Sequence, residues 1–165
     1  MLNRSGATPQ PSHMTSPGYG FENATSPPGE RFPWSRVEEV LASVRNYWIG
    51  STRPDGRSHA APVWGVWLDG VLYFSTGKES RKARNLASNP ATVVHIEGAK
   101  GEVVILEGAA EEISEPSLLK SVWEAYNAKY EWNVEGYPFY VVRPNVVFSF
   151  EEQLGDTATR WTFSD

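Results

Sequence analysis

Two cations stand where an ordinary helix would avoid them. The run Ser75-Thr76-Gly77-Lys78-Glu79-Ser80-Arg81-Lys82-Ala83-Arg84-Asn85-Leu86 ends a strand pattern in two hydroxyls and a glycine, then opens a helix pattern at Ser80. Arg81 and Lys82 fall in the first helical turn. A helix N-terminus already carries about half a positive charge, so a cation there costs roughly 0.3–1 kcal/mol. A bound anion removes the conflict. Exposed backbone N–H groups, the hydroxyls of Ser75, Thr76 and Ser80, and the two cations would then converge on a phosphate. The same residues also fit a solvated basic face, because Arg81, Arg84, Asn85 and Ser88 lie opposite Ala83, Leu86 and Ala87 on a helical wheel.

A second cluster is Ala61-Pro62-Val63-Trp64-Gly65-Val66-Trp67. Pro62 removes a hydrogen-bond donor and Gly65 removes a side chain, both inside a strand pattern. Such positions mark a place where another surface approaches the backbone. A flat aromatic ligand could lie there with Trp64 or Trp67 as a wall. Alternatively, the indoles simply fill a core, with Trp64 and Val66 on one face and Val63, Gly65 and Trp67 on the other.

Other chemistry is thin. His59 and His95 fall in strand patterns without a carboxylate at metal-like spacing, and read as structural or surface histidines. There is no Cys, no G-x-S-x-G, no H-E-x-x-H and no Walker loop. Glu111-Glu112 and Glu151-Glu152 read as solvated carboxylates. A phosphate cradle beside an aromatic groove, with no protein nucleophile, points to a bound cofactor as the seat of chemistry.

These residues need elements to hold them. Gly70 follows Asp69 between two strand patterns, a strong hairpin signal that sets Val71 to Ser75 antiparallel to a long strand spanning His59 to Leu68. Asn46 to Thr52 precedes them and ends at the turn Arg53-Pro54-Asp55-Gly56. Helices are expected from Ser35 to Arg45, with Ser35 and Glu38 as a capping box, over Ser80 to Ser88, and from Pro116 to about Lys129. Further strands are expected at Thr92–Glu97, Glu102–Ala110, Tyr140–Arg143, Val146–Phe150 and Thr159–Phe163. Hairpins with few crossover helices favour an antiparallel barrel over a doubly wound sheet.

Residues 1–33 hold six of the 12 prolines and show no apolar period. They read as a disordered Pro/Ser/Gly-rich tail, leaving 34–165 as one domain. The formal charge is −5, which speaks against phosphate-driven nucleic-acid binding. No apolar run nears the ~20 residues of a membrane helix, and the N-terminus lacks a secretory h-region. A cytoplasmic protein is expected, with a small-molecule substrate and neither nucleic acid nor membrane as partner.

The ordered set Ser51-Thr52-Arg53-Pro54-Asp55-Gly56-Arg57-Ser58-His59, Pro62-Val63-Trp64, Asp69-Gly70-Val71-Leu72-Tyr73-Phe74-Ser75-Thr76, Ser80-Arg81-Lys82-Ala83-Arg84-Asn85-Leu86 and Asn89-Pro90 resembles the pyridoxamine 5′-phosphate oxidase-like family of FMN-binding split β-barrels. The resemblance covers about Asn46 to Gly108. It implies a mainly β fold with short helices, a six-stranded antiparallel split β-barrel, and a homodimer with its cofactor at the subunit interface. It further implies FMN, or the deazaflavin F420 in one branch, and hydride transfer to or from a small organic molecule. Arg81 and Lys82 would hold the flavin phosphate with Ser75, Thr76 and Ser80. Pro62, Val63, Trp64 and Gly65 would lie against the ring, and Arg160-Trp161 would close the site from the partner subunit. The Arg-x-His substrate clamp of the vitamin B6 oxidases has no counterpart in Arg160-Trp161-Thr162, so pyridoxal phosphate synthesis is not expected. A non-catalytic flavin- or haem-binding module is the alternative.

Overall fold

The structure is a computed structural model that describes residues 8–15, 24–151 and 154–163. Its elements in chain order are β1 (Gln10–His13), α1 (Trp34–Ser43), β2 (Tyr47–Thr52), β3 (Ser58–Val63), β4 (Gly65–Leu68), β5 (Val71–Ser75), α2 (Arg81–Ser88), β6 (Ala91–Glu97), β7 (Val103–Ile113), α3 (Pro116–Tyr130), β8 (Phe139–Phe150), α4 (Leu154–Thr157) and β9 (Thr159–Thr162).

The expected long strand from His59 to Leu68 is broken at Trp64. Its first half, β3, pairs with β2, and its second half, β4, pairs with β5 across a turn in which Asp69 and Gly70 both take positive φ. Pro62 therefore sits on a strand whose far edge is unpaired, where its missing N–H costs nothing. Hydrogen bonds run β4-β5-β8-β7-β6-β2-β3, all antiparallel. Backbone, not a ladder, crosses the gap from β3 to β4. Counting β3 and β4 as one bent strand gives six strands around the core, split at Trp64.

β8 is one strand, not the expected two. Pro144 fits inside it because β8 carries a bulge there: Glu107 pairs with Val146 and Gly108 with Pro144, leaving Asn145 as the extra residue. A Cβ on Gly108 would lie 2.0 Å from the Arg143 carbonyl oxygen, so only glycine allows the approach. One edge of β8 is shared: Phe139–Val142 pair with β5 and Val146–Ser149 with β9.

Residues 1–33 do not all form the expected unstructured tail. Gln10–His13 add β1 to the edge of β9, Phe32 is fully buried, and the Gly29 N–H donates to Thr159 Oγ1 at 3.0 Å. Composition misses this because an existing sheet edge supplies the hydrogen bonds that offset the ordering entropy. The capping box is also absent: Pro33 is the N-cap of α1, without a side-chain hydrogen bond, and Ser35 lies inside the helix. Arg36 instead bonds Glu39 and the buried Glu102.

The core divides in two. Ile49, Val63, Phe74, Leu86, Val94 and Leu106 belong to the barrel interior, with α1 closing one side. Val66, Val122, Tyr126 and Phe139 belong to a second cluster, where α3 covers the outer face of β4, β5 and β8. Among the described residues no helix is long and apolar enough to cross a membrane.

Candidate functional site

Ser80 fixes the start of α2. Its Oγ accepts from the Ala83 N–H at 3.1 Å and from the Thr76 hydroxyl at 2.9 Å. Thr76, Ser80, Arg81 and Lys82 are thereby gathered at the end of β5. Among the described residues neither Arg81 nor Lys82 has a carboxylate partner. Burial holds the Lys82 amine below its usual pKa. Ser75 lies at the strand end, but its hydroxyl donates to the Pro138 carbonyl at 2.9 Å. Three other nearby cations are engaged. Lys78 pairs with Glu112 at 2.7 Å, Arg57 with Asp55 at 2.8 Å, and Arg84 donates to the Glu79 carbonyl at 2.7 Å.

Asn85 corrects the helical-wheel reading. It is fully buried, and its Nδ2 donates to Ser51 Oγ at 3.0 Å, while Ala87 is exposed. This bond ties α2 to β2. In the register of β2 and β3, Ser51 stands opposite His59, so His59 shares the α2 side of the sheet. Burial first, then the cations Lys82, Arg53 and Arg81, lower the His59 pKa. His59 Nδ1 and Arg53 Nε are buried without a hydrogen-bond partner. Sequence reasoning missed both residues as site members. The signal present was His59 in the quoted run, two residues past Arg57, but only the fold brings it under α2.

The segment from Pro62 to Gly65 is used differently from expectation. Pro62 is exposed, opposite Trp48. Val63 is buried in the barrel. Trp64 stacks on Tyr130 at 4.7 Å, with the Arg45 guanidinium 5.0 Å from its ring centre. Gly65 is packed against its own chain. A Cβ there would lie 2.8 Å from the Tyr73 carbonyl oxygen, and its own N–H and carbonyl both bond the Tyr130 hydroxyl. The close surface that its missing side chain signalled is the chain itself.

Arg160 and Trp161 also stand apart from the expectation. Trp161 is buried in its own barrel, 5.4 Å from Trp34, and its Nε1 donates to Ser149 Oγ. It has no face left to close a partner's site. Arg160 is only half-buried, on β9 beside β1.

Two hollows meet on the outer face of β2, β3 and β6. One of about 760 Å³ is lined by Arg45, Trp48, Gly50, Ala60, Val93 and His95 among others. The next, about 590 Å³, shares Gly50, Ala60 and Val93 and extends to Ser51, Thr52, Ser58, His59 and Glu107. A tricyclic ring fits such a volume, and His59 borders the second hollow at the edge strand β3. Among the described residues no group of His, Cys, Asp or Glu could hold a metal.

Fold and corner together define a split-barrel protein with a cationic cluster at the start of α2 and an apolar hollow on the outer face of β2, β3 and β6. The sequence profile of the pyridoxamine 5′-phosphate oxidase family matches residues 34–152, and the chain belongs to that family. No curated protein matches it. Among solved structures it is similar to the conserved hypothetical protein Rv2991 of Mycobacterium tuberculosis, with 21% identity and a TM-score of 0.65 over 73% of this chain and 86% of that one. It is similar to an F420 reductase, with 22% identity and a TM-score of 0.57 over 67% and 94%. It is also similar to HutZ, the haem storage protein of Vibrio cholerae, with 12% identity and a TM-score of 0.58 over 67% and 88%. At these identities the likenesses establish the fold.

Proposed function

We propose that this protein is an FMN-dependent oxidoreductase acting as a homodimer on a small organic molecule. The observation that carries the reading is the corner at α2. Arg81 and Lys82 lack carboxylate partners there, and His59 Nδ1 and Arg53 Nε are buried without hydrogen bonds. Buried donors and acceptors left unpaired are rare in native proteins and call for a group that completes them. A phosphate monoester does so with several acceptor oxygens and a dianionic charge. The residues present therefore fit the flavin phosphate.

Arg81, Lys82, Thr76, Ser80, Arg53 and His59 would hold the phosphate. The outer-face hollow would orient the ring and exclude water, with Trp48 and Pro62 as its apolar wall. Bound flavin supplies reversible hydride acceptance, which no side chain here can provide. F420 is the competing cofactor. Its longer anionic tail would reward extra cations, and the three candidates Lys78, Arg57 and Arg84 already have partners. That supports FMN, and a parallel titration with both cofactors tests the choice.

Arg81→Ala with Lys82→Ala should weaken FMN binding at least tenfold, the effect of losing ~1.4 kcal/mol. Fluorescence quenching of FMN measures it, and unchanged affinity would remove the phosphate assignment. A second reading is a non-catalytic module that stores a planar ligand. His95 lines the larger hollow with Trp48 and Val93 and would be the candidate ligand for a haem there. A ligand that binds tightly yet never cycles between redox states with any reductant would favour it.

A further inference from the structure

His59 differs from the other members of the corner because its charge is not fixed. The ring is half-buried on β3 and its Nδ1 has no partner. The groups facing it come from each packed element. The turn after β2 contributes Arg53, and α2 contributes Arg81 and Lys82. β3 itself carries no other titratable side chain. Asp55 of the same turn is paired with Arg57. Glu107 of β7 borders the cleft but is exposed. Desolvation and these three cations disfavour the charged imidazolium, and the neutral ring adds no attraction for an anion.

We propose that His59 is the proton-gated member of this anion site, so that a phosphate monoester dianion docks together with a proton taken from solvent by the imidazole. The inference rests on the reading of the α2 corner as the phosphate site. The physical cause is mutual. The dianion cancels the field of Arg53, Arg81 and Lys82 that disfavours imidazolium. The new proton sits on a ring nitrogen that otherwise lacks a partner, and a phosphate oxygen accepts from it. By linkage, whatever raises the proton affinity of His59 on binding must make binding tighter as pH falls. Binding should therefore strengthen as pH drops from 8 toward 6 by up to about tenfold for each unit by which the ring is shifted. The monoester's own second ionisation near pH 6 works against this, since it removes charge from the ligand. Comparison with His59→Gln, which keeps a donor but cannot titrate, cancels that contribution.

The test follows the imidazole directly in the unmodified protein. The chain has three histidines, and the NMR signal lost in His59→Gln assigns the one of interest. Its titration is recorded alone, with saturating FMN and with inorganic phosphate. Calorimetry at pH 7 in two buffers of different ionisation heat counts the protons taken up. The expected result is a His59 pKa raised by about one unit or more on ligation. Proton uptake should fall by more than half in His59→Gln, and the tightening toward pH 6 should be lost from that variant. A His59 signal whose titration is unmoved at FMN saturation overturns the proposal while leaving the flavin reading intact. If FMN fails to bind but inorganic phosphate shifts His59, the flavin reading falls and the proton-gated site stands. If neither anion binds, both fall.

Discussion

Lys129 holds its ammonium against oxygens that carry no charge. Nζ donates to the Tyr47 hydroxyl at 2.8 Å and to the Gly65 carbonyl at 3.1 Å, with the Tyr47 ring centre 4.8 Å away. Burial without a carboxylate brings its pKa down to about 8 from 10.5. The folded state thus sheds this proton near pH 8, while the unfolded chain keeps it to near 10.5, so stability should rise with pH across that window. Tyr47 acts in the opposite sense. Burial raises its pKa above the ordinary 10, so ionisation of the unfolded chain above pH 10 lowers stability. Thermal melts should therefore peak between about pH 9 and 10. Lys129→Met should flatten the rise above pH 8. Lys82, shifted downward by burial as well, leaves a residual slope. An unaltered pH profile in Lys129→Met would mean that its amine is solvated. The same contacts matter for the site, because Lys129 and Tyr130 together pin the Gly65 backbone just past the break at Trp64.

At the scale of elements, α2 is short and its eight residues would not hold a helix alone. It persists through the Ser80 cap, the Asn85–Ser51 bond, and the burial of Ala83 and Leu86. Ser80→Ala should cost about 1 kcal/mol, lowering the melting temperature by ~2–4 °C. It should weaken FMN binding as well, because Thr76 loses its partner. A melt and a titration on the same sample check both, and loss of stability with unchanged affinity would place Ser80 outside the site. How far such elements were legible depends on where their cause lies. α2, the Asp69-Gly70 hairpin and α3 were readable because cap, turn and period are local, and Glu115 indeed accepts from the Ser117 and Leu118 N–H groups. The break at Trp64 was not, because a bend in one strand is imposed by pairing with two different neighbours. Pro144 suggested a gap in β8, where the strand instead carries Asn145 as a bulge opposite Glu107 and Gly108 and runs on. Arg81, Lys82, Thr76 and Ser80 were legible as a cationic corner from one contiguous run. Arg53 and His59 were not, since they reach it only through the β2–β3 turn folding beneath α2.

At the scale of the whole molecule, the barrel is unevenly clothed. α3 covers the outer face of β4, β5 and β8, and β1 covers the edge of β9. Among the described residues the outer face of β2, β3 and β6 has no such layer, although Trp48 is 51% and Val93 39% exposed there. In register, Trp48 faces Pro62 and His95, and Gly50 faces Ala60 and Val93, so the apolar residues form one continuous surface. Indole and valine left side by side on an exposed sheet face gain by being covered. In the proposed dimer a second copy would supply the cover and this face would hold the flavin ring. A charge at the centre of that face should separate the two copies. Trp48→Glu should shift sedimentation from dimer to monomer and weaken FMN binding at the same time, while the far-UV spectrum stays that of the folded barrel because Trp48 lies outside the core. A variant that stays dimeric and holds FMN as before would move the subunit contact to another surface and leave this face without its proposed role. A monomer that still binds FMN with full affinity would separate the two ideas, showing that one copy builds the whole site.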